Sequence, residues 1–175
     1  MGRTRLLLLA VFMASCLGNP ASAVFAQNQG AHAALSGLTA IHPVIRYFED
    51  AAPRPRAAAA TQLQSDVERI LSDNGIAITD SAEFDRLVGA RNYPIAMLQL
   101  DLRMANHPDQ DMKSYLVSCH IRQPVFLSRK PVVRFLATTW ESTDFGMTKD
   151  VAFARGVAKE ALGRFIQEWR AQNPK

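Results

Sequence analysis

Alternating apolar and polar side chains predict three consecutive strands in the second half of the chain. Over residues 95–104 the apolar residues occupy every second position, which is the period of a strand with one buried face. Similar alternation predicts strands over residues 114–127 and 132–142. Short polar turns separate the three strands, so we expect neighbouring strands to pair antiparallel.

A stripe of apolar residues at helical spacing predicts the first helix. The stripe begins at Leu63 and ends at Leu71, and Gly75 then favours a helix end because glycine tolerates the left-handed conformation. Before this helix, residues 38–48 form another strand candidate. Pro43 has no amide hydrogen, so we expect this strand at a sheet edge or bulged at the proline.

The C-terminal helix is predicted over residues 149–171, where a long apolar stripe recurs at helical spacing. Thr148 is its predicted N-cap, because a side-chain oxygen there can accept a hydrogen bond from the first helical turn. A strand at residues 76–78 and a single helical turn within residues 81–87 complete the pattern.

The order of elements predicts an α+β fold. Both amphipathic helices need an apolar surface, and one face of the sheet supplies it. We therefore expect a two-layer sandwich: a mainly antiparallel sheet of four to five strands with two amphipathic helices on one face. This single domain is expected to span residues 38–175, preceded by a flexible tether at residues 27–37.

Residues 1–26 have the pattern of a secretory signal peptide. A basic head precedes an apolar run at residues 6–14, and small residues precede cleavage sites after Ala23 and Ala26. The apolar run is shorter than the approximately 20 residues that a transmembrane helix needs. We expect an exported, periplasmic protein with no transmembrane segment after cleavage.

The two cysteines leave one alternative open. Cys16 lies in the leader, and a lipid anchor on Cys16 would make the protein a lipoprotein instead. After ordinary cleavage Cys119 is alone, so an intramolecular disulfide is excluded. We interpret Cys119 as a small buried hydrophobic residue, since it shares a strand face with Val117 and Ile121.

The charge of the chain argues against nucleic acid as a partner. The chain has 20 Lys and Arg and 16 Asp and Glu, and two of the basic residues, Arg3 and Arg5, belong to the predicted leader. The remaining cations are spread along the chain, without the clustered basic face of a nucleic-acid-binding protein.

No catalytic or metal-binding signature is present in the sequence. The histidines His32, His42, His107 and His120 lack the spacing of metal ligands, and no glycine-rich phosphate loop or Gly-x-Ser-x-Gly motif occurs. No cofactor is expected. An enzyme with a site built from dispersed residues is the least favoured hypothesis.

The sheet face opposite the helices is the predicted partner surface. In a two-layer fold this face is open, and it mixes polar, apolar and aromatic side chains in the manner of a docking surface. The strand alternation assigns to it Arg103, His120, Arg122, Leu136 and Trp140. The assignment depends on strand parity, which a one-residue bulge reverses.

Several segments resemble a family of small exported bacterial proteins of uncharacterised function. The more specific segments are Arg122-Gln123-Pro124-Val125 and Ala137-Thr138-Thr139-Trp140; a helix ending in Asn173-Pro174 is also similar. The resemblance covers most of the predicted mature chain. It implies export and an α+β domain, but no activity and no site residues.

Two binding functions follow as hypotheses. The first is a non-catalytic accessory protein of the cell envelope that binds an envelope protein through the open sheet face or an edge strand. The alternative is a carrier of a small ligand, with a pocket between helices and sheet lined by Leu63, Val67, Leu98 and Phe165. The sequence does not predict the oligomeric state.

Overall fold

A computed structural model gives the architecture of most of the predicted domain. It describes residues 34–50, 57–89, 94–107 and 111–174. The predicted signal peptide, including Cys16, lies outside the described residues, as do residues 27–33 of the predicted tether.

The described residues form five strands and three helices. The strands are β1 Ala40–Glu49, β2 Ala77–Ile78, β3 Ile95–His107, β4 Met112–Leu127 and β5 Lys130–Thr148. The helices are α1 Ala57–Asp73, α2 Ser81–Gly89 and α3 Val151–Gln172. All five strands join one sheet in the order β2-β1-β3-β4-β5.

The predicted α+β sandwich is confirmed. Strands β3, β4 and β5 pair antiparallel, as tight turns require, and α1 and α3 pack on one face of the sheet. Strand β1 instead pairs parallel with β3 and with the short β2. Helices lie between β1 and β3 in the chain, and such a crossover returns the chain in the same direction.

The main core lies between this face and the two long helices. Val67 of α1, Phe165 of α3 and Leu98 of β3 are completely buried in one cluster of apolar side chains. Burial of each such side chain contributes about 1.5–3 kcal/mol. The amphipathic stripes seen in the sequence are therefore the surfaces that hold the two layers together.

The packed domain begins before residue 38, where the sequence pattern placed its start. Leu35 is completely buried in the main core. The amide of Gly37 donates a hydrogen bond to Asn173 Oδ1 at 2.8 Å, and Asn173 Nδ2 donates to the Leu35 carbonyl at 2.9 Å. Residues 34–37 are thus part of the fold, and the predicted tether is wrong for this stretch.

Helix α2 lies on the opposite face of the sheet. Phe84 and Leu87 form a second, smaller cluster with Ala40 and Ile95, whose side chains point away from the main core. The sequence predicted only one helical turn in this region. We call the sheet face opposite α1 and α3 the outer face; α2 covers one end of it.

Pro43 is accommodated because its partner strand is short. The carbonyl of Ile41 accepts a hydrogen bond from the Thr79 amide at 2.9 Å, so odd-numbered residues of β1 direct their backbone groups toward β2. Strand β2 ends at Ile78, and Pro43 lies beyond it. The missing amide hydrogen therefore costs no ladder hydrogen bond, and the prediction of a local edge at Pro43 is confirmed.

A β-bulge in the β4–β5 pair corrects one predicted surface residue. Ile121 pairs with Trp140 and Arg122 pairs with Thr138, so Thr139 is an extra residue on β5. The inserted residue reverses the parity of β5 on its two sides. Trp140 therefore points into the main core with Ile121, and its predicted place on the open face is wrong.

Helix α3 begins at Val151, two residues later than predicted. Its N-cap is Asp150, whose side chain accepts a hydrogen bond from the Ala152 amide at 2.7 Å. The Thr148 hydroxyl instead accepts from the Asp150 amide at 3.0 Å, which fixes the residue before the helix. None of the described helices is long and apolar enough to cross a membrane.

Candidate interaction surface

The outer face is organised in rows that cross the sheet. Strand pairing places Phe48, Arg103, Leu116 and Phe145 opposite one another, one from each of β1, β3, β4 and β5. Directly paired residues project to the same face of a sheet. Each row is therefore a continuous strip of side chains, and the rows differ in character from one end of the face to the other.

The apolar end of the outer face is exposed. Phe145 exposes 83% of its surface, and Met147 and Leu116 expose 47% and 38%. Helix α2 packs at the other end of the face, against Ile95 and Leu136. Exposed aromatic and methionine side chains beside an arginine have the composition of a protein interface.

An arginine borders this apolar end. The guanidinium carbon of Arg103 lies 4.6 Å from the centre of the Phe48 ring, within cation–π distance. The guanidinium carbon of Arg46 lies 5.7 Å from the same ring. Two arginines therefore contact the Phe48 ring. Of these two, only Arg46 has a carboxylate partner among the described residues.

A buried carboxylate anchors the middle of the outer face. Asp101 is 5% exposed and forms a two-point ion pair with Arg46, in which Nε donates at 2.7 Å. The hydrogen bonds to Asp101 raise the pKa of the Arg46 guanidinium above its ordinary value. Gln99 Nε2 also donates to Asp101, at 3.3 Å, so both oxygens of this carboxylate already accept hydrogen bonds from their neighbours.

His120 and Arg122 lie side by side on β4 next to this ion pair. His120 Nδ1 is 3.6 Å from Glu141 Oε2, outside hydrogen-bond distance, and Arg122 Nη1 is 3.4 Å from Gln99 Oε1. His120 Nδ1 and Arg122 Nε are both buried without a hydrogen-bond partner. Buried polar atoms normally form hydrogen bonds, so these two nitrogens are exceptions.

The structure brings four of the five predicted surface residues onto one face. Arg103, His120, Arg122 and Leu136 project from the outer face. Leu136 is half-buried beneath α2 rather than open. Trp140 is in the core, where its ring lies 5.6 Å from that of Phe165 and its Nε1 donates to Glu168 at 2.8 Å.

The sequence pattern missed the most exposed large apolar residue of the surface, Phe145. The last strand was predicted to end at residue 142, but β5 continues to Thr148. Phe145 and Met147 alternate with Asp144 and Gly146, which is the pattern of a strand. Gly146 was interpreted as a turn glycine, so the strand was predicted to end before it. In the structure Gly146 makes room for Tyr115, whose hydroxyl would lie 2.7 Å from an added Cβ.

A second concave region lies at the free edge of β1. This open groove, of about 770 Å³, runs between α1 and the start of α2, past His42, Glu68, Arg69 and Asp80. His42 Nδ1 donates to the Thr79 carbonyl at 3.0 Å, since a carbonyl can only accept. Arg69 pairs with Asp73 and Asp66 on its own helix, so the groove is mainly a solvated helix flank.

The pocket expected for a small-ligand carrier is filled by protein. Leu63, Val67, Leu98 and Phe165 are at most 1% exposed and belong to the same packed cluster.

Burial also raises the pKa of the Cys119 thiol, to about 12. Within the described ranges, no group of three or more His, Cys, Asp or Glu side chains is arranged to hold a metal ion.

Comparison with known proteins gives a distant structural likeness. No protein-family model matches the chain, and no curated protein matches it. Among solved structures, the chain is similar to a PelC dodecamer from Paraburkholderia phytofirmans, with a TM-score of 0.41 and 14% sequence identity. The match covers 77% of this chain and 90% of that chain. A likeness at this level carries no argument about function.

Proposed function

We propose that this protein is an exported, non-catalytic accessory protein of the cell envelope that binds a partner protein on its outer face. The observation that carries the proposal is the exposure of Phe145, 83%, on the edge strand β5, where it forms an apolar strip with Leu116 and Met147. Keeping a phenylalanine in water forgoes about 1.5–3 kcal/mol of burial. A partner that covers the strip would recover this free energy.

The surroundings of the strip support a docking role. Arg103 borders it, and arginine beside aromatic residues is typical of the residues that dominate binding energy at interfaces. The strands beneath are fixed in register, because β3 and β4 pair without interruption from Met97 with Arg122 to His107 with Met112 and bury their other face against the helices. A surface of this kind is pre-organised, which lowers the entropy cost of binding.

The sequence of the leader supports the cellular location. The basic head, the apolar run and the small residues before Ala23 and Ala26 are typical of an exported protein. A partner in the periplasm or at a membrane surface follows from this location. The carrier hypothesis loses support because Leu63 and the other expected lining residues are packed in the core.

Site-specific crosslinking in intact cells tests the proposal. A photoreactive phenylalanine analogue is placed at position 145 of the full chain, and at position 153 as the matched control. Phe153 is also exposed, at 56%, but it belongs to α3 on the other side of the sheet. We expect a defined crosslinked protein from position 145 and a much lower yield from position 153.

Two further results complete this experiment. Cell fractionation should place the protein and its crosslinked product in the envelope or periplasm; recovery in the cytoplasm would contradict export. Equal products from both positions, or none from position 145, would reject the outer face as the binding surface. A crosslinked product that contains two copies of this chain would show that the outer face binds a second copy, and would contradict the accessory role.

A further inference from the structure

The charges of the outer face are unbalanced among the described residues. Four arginines project from the strands of this face, against two carboxylates: the cations are Arg46, Arg103, Arg122 and Arg134, and the anions are Asp101 and Glu141. Helix α2 adds Asp85 and the paired Glu83 and Arg86 at its own end of the face. Asp101 is occupied by Arg46. Arg134 Nη1 donates to the Val88 carbonyl at 2.9 Å. Arg103 and Arg122 have no carboxylate partner in the described part of the chain.

Arg103 is held in place without using up its hydrogen-bond donors. Its guanidinium lies over the Phe48 ring at 4.6 Å, and its side chain is exposed. Guanidinium N–H groups lie in the plane of the group and match the two oxygens of a carboxylate. Contact with the ring therefore positions Arg103 while leaving donors free for an incoming acid.

Arg122 has a donor that is buried and unpaired. Its Nε has no hydrogen-bond partner, and the contacts of its two terminal nitrogens, with Gln99 Oε1 and the Leu136 carbonyl, are long at 3.4 and 3.5 Å. His120 Nδ1, two residues away on the same strand face, is also buried and unpaired. Among the described residues, the terminal nitrogens of Arg122 make only these long contacts, so they keep donors for an incoming carboxylate.

From these observations we infer that the partner presents an acidic segment with an apolar side chain, whose carboxylates bind Arg103 and Arg122 while the apolar group covers Phe145. This inference rests on the proposed function and adds the chemistry of the partner. Arg103 pairs with Leu116, six residues from Arg122 along β4, so the two carboxylates should be about 20 Å apart.

Selection from a random peptide library tests the chemistry directly. The protein, purified from cells that express the full chain, is immobilised and used to enrich displayed peptides. We expect enriched peptides to combine Asp or Glu with Leu, Phe or Trp, and to bind less tightly as salt rises. Arg103→Gln and Arg122→Gln should each weaken binding of a selected peptide about tenfold.

Matched variants distinguish this inference from the proposed function. Arg170→Gln removes an exposed cation from α3 on the other side of the molecule and should leave binding unchanged. Arg103→Glu should shift the selection toward peptides rich in Lys and Arg. Because Arg103 is exposed, its variants keep the test valid even if Arg122→Gln weakens the fold, which thermal denaturation would reveal.

Each outcome has a definite meaning. Enriched peptides without acidic residues that still lose binding in Phe145→Ser would reject the acidic partner and leave the docking surface intact. Failure to enrich any peptide, or binding that none of the outer-face variants changes, would reject both. Arginine-dependent binding to phosphatidylglycerol vesicles, with no acidic peptide enriched, would replace the protein segment by an anionic membrane surface.

Discussion

Trp140 and Phe145 lie on the same strand, β5, in opposite environments. Trp140 is 5% exposed, packs edge-on against Phe165 and donates its indole hydrogen to Glu168. Phe145 is 83% exposed on the outer face. The comparison shows that aromatic character alone does not indicate where a residue belongs; strand parity, and the bulge at Thr139, decide it.

The two faces of the sheet differ in the same way as these two residues. The helix-covered face has a large apolar core, whose stability comes from burial, and a polar margin where Arg164 of α3 contacts Ser142 and Asp144 of β5. The middle of the outer face is held by directional contacts, of which the Arg46–Asp101 ion pair is the most buried. We expect the first face to control stability and the second to control recognition.

Truncating the two aromatic residues should give the largest contrast. Trp140→Ala removes a buried ring and should lower the free energy of unfolding by about 3–5 kcal/mol. Phe145→Ala should change the free energy by less than about 0.5 kcal/mol, because the ring is exposed. Urea denaturation of the two variants and the parent protein measures both values. Similar losses would mean that the faces are not energetically distinct.

The glycines provide a second contrast, of intermediate size. A Cβ at Gly146 would lie 2.7 Å from the Tyr115 hydroxyl oxygen, so Gly146→Ala should cost about 1–3 kcal/mol as Tyr115 is displaced. Gly163 of α3 has open space around an added Cβ. Gly163→Ala should therefore be neutral or stabilise by up to about 1 kcal/mol. Thermal melts of both variants test the pair, and a harmless Gly146→Ala would refute the steric argument.

Cys119 allows a smaller test through pH. Burial raises the pKa of its thiol to about 12 in the folded protein, above the value of about 8.5 expected in an unfolded chain. Between these two values the thiol ionises in the unfolded chain but not in the folded protein. The free energy of unfolding is therefore unaffected below the unfolded pKa and falls as pH rises from about 9 toward 12. Relative to Cys119→Ala, the parent protein should lose about 1 kcal/mol per pH unit over this range.

Urea denaturation of both proteins at pH 8, 9 and 10 measures the difference. Parallel pH profiles for the parent and for Cys119→Ala would mean that the thiol ionises in the folded state. A thiol-specific reagent provides the control, because the buried thiol should react only after unfolding. Fast labelling of the native protein would contradict the burial of this position.

The sequence predicted the elements with regular periodicity. The alternation over residues 95–104 and the helical stripe from Leu63 to Leu71 correspond to β3 and α1. It also placed Arg103, His120 and Arg122 on the face opposite the long helices, since no bulge interrupts β3 or this part of β4 before Arg122. Local periodicity is sufficient where the pairing is regular.

The remaining features depended on contacts distant in sequence. Leu35 is buried because its segment meets Asn173, at the other end of the chain. Helix α2 is fixed on the outer face by Phe84, whose ring stacks on His42 at 5.1 Å. Neither contact has a local signature, so a tether and a single helical turn were the simpler predictions.

The sequence by itself determined that this chain builds a sheet with two amphipathic helices, because burial of apolar stripes at periods of 2 and 3.6 residues depends only on local order. The tertiary structure alone decided which side of β5 faces the core. One inserted residue, Thr139, places Trp140 inside, while the extension of β5 leaves Phe145 outside. Which side chains of a strand face the core depends on its register with the neighbouring strand, and the sequence of one strand alone does not determine that register.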